Sequence, residues 1–171
     1  MRVLTPRTHE MEREGYRANA GDRCYFCKAE LLDVLSPLAD AGLTKAQVRE
    51  VSRRWGLPTW DKPAAACLSS RIAYGLEVTP AGLARVERAE EAVRRELAGL
   101  GLAATDLRVR DLGDTGSIEL DHDLVLRLDA PAAAALTDAV RGAGFPDARL
   151  DPRGFRSGAM NERLPDPARW R

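Results

Sequence analysis

Thr79-Pro80-Ala81-Gly82-Leu83-Ala84-Arg85-Val86-Glu87-Arg88-Ala89-Glu90-Glu91-Ala92-Val93-Arg94-Arg95-Glu96-Leu97, with Leu107-Arg108-Val109-Arg110 and Ser117-Ile118-Glu119-Leu120 after it, decides the fold. Thr79 is an N-cap residue and Pro80 suits the first helical position, so the spacing predicts a helix to about Leu97, closed by Gly99 and Gly101. Its apolar stripe is Leu83, Val86, Val93 and Leu97. The two short runs alternate apolar and polar, which predicts strands joined by a turn through Gly113-Asp114-Thr115-Gly116. Leu124-Val125-Leu126-Arg127-Leu128 is a further candidate strand. An alanine-rich helix is expected from Pro131 to about Arg141, and a strand near Ala148-Arg149-Leu150. The order helix, strand, strand, helix, strand describes a small α+β layer with helices on one face of a mainly antiparallel sheet.

Upstream, Thr44 and Gln47 form a capping box for a helix with Val48, Val51 and Trp55 on one side, stopped by Gly56 and Leu57-Pro58. Asp22 is a candidate N-cap for a helix through Lys28 to Leu35, which would place Cys24 and Cys27 in its first turn. Backbone N–H groups there favour thiolate over thiol. The residues before Gly21 are polar without a sustained period and read as an extended lead-in. Ala64-Ala65-Ala66-Cys67-Leu68-Ser69-Ser70 and Arg71-Ile72-Ala73-Tyr74-Gly75 read as a strand or tight binding loop.

The chain has 171 residues, 26 basic and 26 acidic, so its formal net charge is zero. That balance argues against a broad nucleic-acid surface and leaves anion binding to local arginines. Aromatic residues are only 5% of the chain, too few for a base-stacking platform. No apolar run approaches the roughly 20 residues of a membrane span, and the start lacks a signal peptide's apolar region, so a cytoplasmic protein without a membrane partner is expected.

All three cysteines, Cys24, Cys27 and Cys67, fall in the first part of the chain. Three thiols can hold a metal centre and leave one position open for chemistry. A C-x-x-C pair is also compatible with a dithiol redox site, with half of a zinc site completed by His9 or His122, or with inert core cysteines. Arg108 and Arg110 share one face of their strand and suit a phosphate or carboxylate clamp, or else a solvated face with Glu119 as partner. Glu90 interrupts an apolar stripe, so its carboxylate must be paired with an arginine, lie at a subunit contact or bind a ligand. Arg71 after Ser69-Ser70, and Arg156 in Gly154-Phe155-Arg156-Ser157-Gly158, lie in small-residue loops where backbone amides can join them around an anion.

Together, Asp22-Arg23-Cys24-Tyr25-Phe26-Cys27-Lys28, Gly42-Leu43-Thr44-Lys45, Lys62-Pro63 through Gly75, Arg85-Val86-Glu87 with Ala89-Glu90, Arg108-Val109-Arg110, Ile118-Glu119 and Gly154 through Asn161 resemble the LarE family. Members are ATP-dependent sulfur transferases that build the nickel-pincer nucleotide cofactor of lactate racemase. The resemblance implies a partial PP-loop α/β domain over 1–60 and a substrate and sulfur-transfer domain over 61–171. It also implies a nucleotide-like small-molecule substrate, pyridinium-3,5-biscarboxylic acid mononucleotide, adenylated with ATP and Mg before sulfur replaces AMP, and a homo-oligomer.

One branch of the family sacrifices a cysteine, at a position where this chain has Ala66. The other uses three cysteines to bind a [4Fe–4S] cluster, and Cys24, Cys27 and Cys67 match it. By the same match Ser70 and Arg71 lie beside the cluster near the substrate's carboxylate or the AMP leaving group, and Cys67, Ser70 and Arg71 are the implied catalytic set. Glu90, Arg108 and Arg110 take positions that bind metal or phosphate, and Arg156 is assigned an anion contact.

The chain departs from the family in two places. It contains no Ser-Gly-Gly-x-Asp-Ser loop to cradle ATP pyrophosphate. Between Leu35 and Ser36 it lacks a stretch that helps members form the nucleotide site. These departures predict a carboxy-terminal part with an internal deletion whose first sixty residues expose apolar surface. The alternatives are an incompetent remnant serving as an anion-binding or oligomerisation module, and a dithiol redox protein.

Overall fold

The computed structural model describes residues 7, 9–22, 37–61, 66–164 and 166. Its helices are α1 (Glu14–Arg17), α2 (Pro37–Asp40), α3 (Lys45–Arg54) and α4 (Pro80–Gly99). Strands β1 (Leu107–Asp111) and β2 (Thr115–Leu120) follow, then α5 (His122–Arg127), α6 (Ala130–Gly142) and β3 (Asp147–Leu150). Short 3₁₀ turns lie at Glu10–Glu12, Leu68–Arg71 and Ala159–Arg163. The proposed helix carrying Cys24 and Cys27 lies outside the described residues.

Helix α4 starts where its caps place it, with the Thr79 hydroxyl accepting from the Gly82 N–H and Pro80 at the first position. Val86, Ala89, Val93 and Leu97 are buried, and so is Glu90 among them. β1 and β2 pair antiparallel with Leu107 opposite Leu120 and Val109 opposite Ile118. These four side chains are buried in one cluster with Val86, Val93, Leu136, Val140 and Phe145, so α4 and α6 cover this face of the sheet. The other face carries Arg108, Arg110, Ser117 and Glu119, because neighbouring residues of a strand point to opposite sides. Gly116 permits the packing: a Cβ there would lie 2.5 Å from Val140 Cγ1.

The expected α+β order holds, with two corrections. The sheet is mixed, because β3 pairs parallel with β2 after α5 and α6 carry the chain back to the same end. Residues 122–127 are helix and not strand. A strand would turn Leu124 and Leu126 to one face, yet Leu124 is 5% exposed and Leu126 71%. Leu124 and Leu128 therefore meet the core at helical spacing.

The lead-in also differs from expectation. It forms α1, and Tyr16 and Asn19 are buried against the rest of the fold. Asn19 adopts φ 53°, tolerable for asparagine, and its Nδ2 donates to the carbonyls of Ala73 at 2.6 Å and Leu76 at 2.8 Å. Val78 N–H donates to Arg17 O at 3.0 Å, so residues from the expected first unit pack on the expected second. Asn19→Ala should destabilise the chain by about 2 kcal/mol, since the buried Ala73 carbonyl and the partly buried Leu76 carbonyl lose their donor. Chemical denaturation checks this, and a loss within about 0.5 kcal/mol would show that the latch is unimportant.

Helix α3 has the expected capping box, with Thr44 Oγ1 accepting from Gln47 N–H and Gln47 Oε1 accepting from Thr44 N–H. None of its residues is buried. Leu38, Leu43, Trp55, Leu57 and Trp60 are exposed, the apolar surface foreseen for this part of the chain. No helix among the described residues is long and apolar enough to cross a membrane.

Candidate functional site

The loop from Ala66 to Ala73 joins β1 as an added edge: Ile72 bridges to Asp111, and Ala73 N–H donates to Asp111 O at 2.8 Å. Its Leu68–Arg71 segment is a 3₁₀ turn closed by Ser70 N–H to Cys67 O at 3.0 Å and Ile72 N–H to Ser69 O at 3.1 Å. Cys67 is a free, exposed thiol with Sγ 2.8 Å from the Ser69 hydroxyl. Ser69 is itself buried.

Two buried ion pairs stand behind the loop. Arg71 Nε donates to Glu90 Oε1 at 2.9 Å, and Arg71 Nη1 reaches Ala66 O at 2.8 Å, Cys67 O at 3.0 Å and Ser70 Oγ at 3.2 Å. Glu90 also accepts from Val109 N–H at 3.2 Å and from Arg94 at 3.3 Å. Glu90 thus finds the arginine partner that its place on an apolar stripe requires. Arg110 Nε donates to Glu119 Oε2 at 3.0 Å, and its Nη1 donates to Ser70 O at 3.1 Å. Because Arg110 faces Ser117 in the register, this pair is diagonal across the hairpin.

Arg108 differs from these arginines. Its Nη1 donates to the carbonyl of Leu107 at 2.7 Å and its guanidinium lies 5.2 Å from the Phe155 ring centre. It has no carboxylate hydrogen bond among the described residues. Burial first, and then the positive charges of Arg71 and Arg110, hold its pKa below the usual arginine value. An anion placed there would relieve that unfavourable field.

Arg108 and Arg110 floor a cleft of about 280 Å³. Ala66, Ser70 and Tyr74 form one wall, and Phe155, Ser157 and Asn161 the other. Tyr74 Oη donates to Asn161 Oδ1 at 3.1 Å across the gap. The cleft therefore offers cationic, hydroxyl, amide and aromatic groups, a set able to hold an anionic ring compound; Cys67 is not among its lining residues, but its neighbour Ala66 is. A larger groove of about 560 Å³ between α4 and α6 is flanked by Arg88, Arg95, Glu91 and Glu96, with no nucleophile. Its charges cancel, so the smaller cleft is the better site.

The structure brings Ser70, Arg71, Arg108 and Arg110 together around the Cys67 loop. Arg156 is not among the residues lining this cleft; it pairs with Glu162, which raises its pKa. Neighbours on an extended segment point to opposite sides, so Phe155 and Ser157 face the cleft where Arg156 does not. Phe155, Ser157, Tyr74 and Asn161 received no role from sequence, although their motifs had been singled out. Cys24 and Cys27 lie outside the described residues. Among the described residues no group of three or more His, Cys, Asp or Glu side chains is placed to hold a metal.

The fold and cleft define a mixed α/β protein with a cysteine loop beside an arginine-floored cleft. No protein-family model matches the chain. It is 34% identical over 195 residues to the uncharacterized protein slr1717 of Synechocystis, covering 92% of this chain and 70% of that protein. It is 33% identical over 133 residues to the pyridinium-3,5-bisthiocarboxylic acid mononucleotide synthase of Lactiplantibacillus plantarum, covering 75% of this chain and 44% of the synthase. The chain belongs to the family of slr1717. The likeness to the synthase covers less than half of that protein's length. The 195-residue aligned span exceeds the 171 residues of this chain, so slr1717 has residues within it that find no counterpart here.

Proposed function

We propose that this chain is the sulfur-carrying and substrate-binding part of a LarE-like sulfur transferase in nickel-pincer nucleotide synthesis. The observation that carries the reading is the exposed Cys67 thiol on a pinned loop whose Ala66 and Ser70 line a cleft where Arg108 has no carboxylate hydrogen bond among the described residues. The synthase is named for a pyridinium bisthiocarboxylic acid mononucleotide, and the substrate proposed for this chain is the corresponding pyridinium carboxylate mononucleotide. Arg108 would take its phosphate or carboxylate, with Ser70 Oγ and Asn161 as uncharged partners and Phe155 beside the ring.

Cys67, with Cys24 and Cys27, would hold a [4Fe–4S] cluster. Of this donor set Cys67 alone lies among the described residues, and its free, accessible thiol has the chemistry of a cluster ligand. When bound, such a cluster supplies an iron with an open position that can carry sulfide to an activated carboxyl carbon. Ala66 lines the cleft where a sacrificial cysteine would stand, which supports sulfur arriving from elsewhere. Arg71 and Arg110 hold the loop, and Glu90 serves Arg71. ATP and Mg activation enters with the family likeness, and no residue is assigned to it. A cytoplasmic homo-oligomer completes the reading, supported by the exposed Trp55, Leu57 and Trp60.

Anaerobic reconstitution with iron and sulfide tests this. The unaltered chain should gain broad visible absorption, and Cys67→Ala should lose most of it. Absorption that never appears, or that survives in Cys67→Ala, would sink the cluster. Mass spectrometry after mild oxidation separates the dithiol reading, which requires a Cys24–Cys27 disulfide.

A further inference from the structure

Arg156 faces away from the cleft and lines a smaller cavity, of about 20 Å³, between β2 and the segment after β3. Phe155 and Ser157, on either side of it, line the cleft itself. Ser117 and Glu119 come to the cavity from β2, where they alternate with Gly116, Ile118 and Leu120 and so present their side chains to the polar face of the sheet.

These three residues bring unmet hydrogen-bonding capacity to one place. Arg156 Nε is buried and has no protein partner, because Nη1 makes the bond to Glu162. Ser117 is only 4% exposed, and its hydroxyl makes no hydrogen bond among the described residues. Glu119 is equally buried, and Arg110 Nε bonds its Oε2 at 3.0 Å, so that bond does not serve Oε1. The charges around the cavity are already balanced. Arg110 pairs with Glu119, Arg153 with Asp151 at 3.5 Å and Arg156 with Glu162, so no guanidinium here calls for an anion. What is unmet is one N–H donor, one hydroxyl and one carboxylate oxygen. A water can accept from the first, share a bond with the second and donate to the third, and roughly 10–15 Å³ suffices to hold it.

We infer that this cavity is the binding site of a single water, which bridges Arg156 Nε to Ser117 Oγ and Glu119 Oε1. The water joins β2 to the segment that carries Phe155 and Ser157, and so holds the far wall of the cleft to the sheet. Such a bridge is nearly as favourable in enthalpy as a direct hydrogen bond. Neither a cluster nor sulfur transfer is needed for it, so its failure would leave the proposed function untouched.

The test uses the full chain, isotopically labelled at arginine nitrogen, with Arg156→Lys to assign the Arg156 Nε–H resonance. That proton should show a nuclear Overhauser cross-peak to a long-lived water. Ser117→Val puts a methyl group where the hydroxyl stands and fills the water's space, so the cross-peak should be lost. A high-resolution crystal structure of the parent should show one solvent peak within hydrogen-bonding distance of all three atoms. No cross-peak in the parent, or one that persists in folded Ser117→Val, overturns the site. So does a crystal structure in which Arg156 Nε bonds Glu119 directly. Crystals grown in bromide decide the chemistry of the occupant: an anomalous bromide peak at this position would replace the water by a halide. If circular dichroism shows that Ser117→Val does not fold, the parent's cross-peak and density decide alone.

Discussion

Gly154→Ala should destabilise the chain by about 3 kcal/mol, through left-handed backbone strain together with a steric clash. Gly154 has φ 66°, and a Cβ there would lie 2.6 Å from Leu120 O, 2.9 Å from His122 Cα and 3.1 Å from His122 N. All three are backbone atoms, at the end of β2 and the start of α5, so no side-chain rotation relieves the contact. Relief requires moving the segment, and Phe155 N–H donates to the same Leu120 oxygen at 2.7 Å. Losing that bond would carry Phe155 away from Arg108. Gly158 provides the control: its φ is 79°, but nothing lies within 4 Å of its Cβ position. Gly158→Ala should cost only about 1 kcal/mol, the left-handed penalty without the clash. Denaturant unfolding of the two variants measures the difference. Equal costs would show that the approach of Gly154 to β2 is not tight in solution.

Local signals were legible in this chain and distant ones were not. The Thr44–Gln47 box and the Thr79-Pro80 start involve residues within one helical turn, so their chemistry can be read directly. Alternation placed β1 to within one residue and the end of β2 at Leu120, because one face of each meets helices, but β2 begins at Thr115, inside the expected turn. Residues 122–127 misled because a short aliphatic run suits either a strand or a helix turn, and only burial separates Leu124 from Leu126. The role of Asn19 was invisible, since its acceptors lie 54 and 57 residues away. Glu90 is an intermediate case: a carboxylate on an apolar stripe announces that a partner exists, but not that Arg71 is the partner. Arg71 is read as a ligand arginine because sequence shows its charge and hides Glu90, whereas Glu119 is legible as a partner across the hairpin and pairs with Arg110.

Glu90→Ala should have the largest effect, about 3–5 kcal/mol, the cost of leaving a buried charge without its partner. Three donors lose an acceptor together: Arg71 Nε, the Val109 N–H in the middle of β1, and Arg94. They do not contribute equally. Arg94 is 57% exposed and four residues along the same helix, so Arg94→Ala should cost under about 0.5 kcal/mol. The loss should therefore lie with Arg71 and with Val109. A double-mutant cycle with Arg71→Met separates them. Removing both charges ends the isolated-cation penalty, so the double variant should be more stable than the sum of the two single losses predicts, by about 2 kcal/mol or more. It should still fall short of the parent, because the Ala66 and Cys67 carbonyls lose their donor as well. Additive losses would mean that Glu90 matters chiefly to the Val109 N–H, and the ion pair would then cease to explain a glutamate in the core of α4.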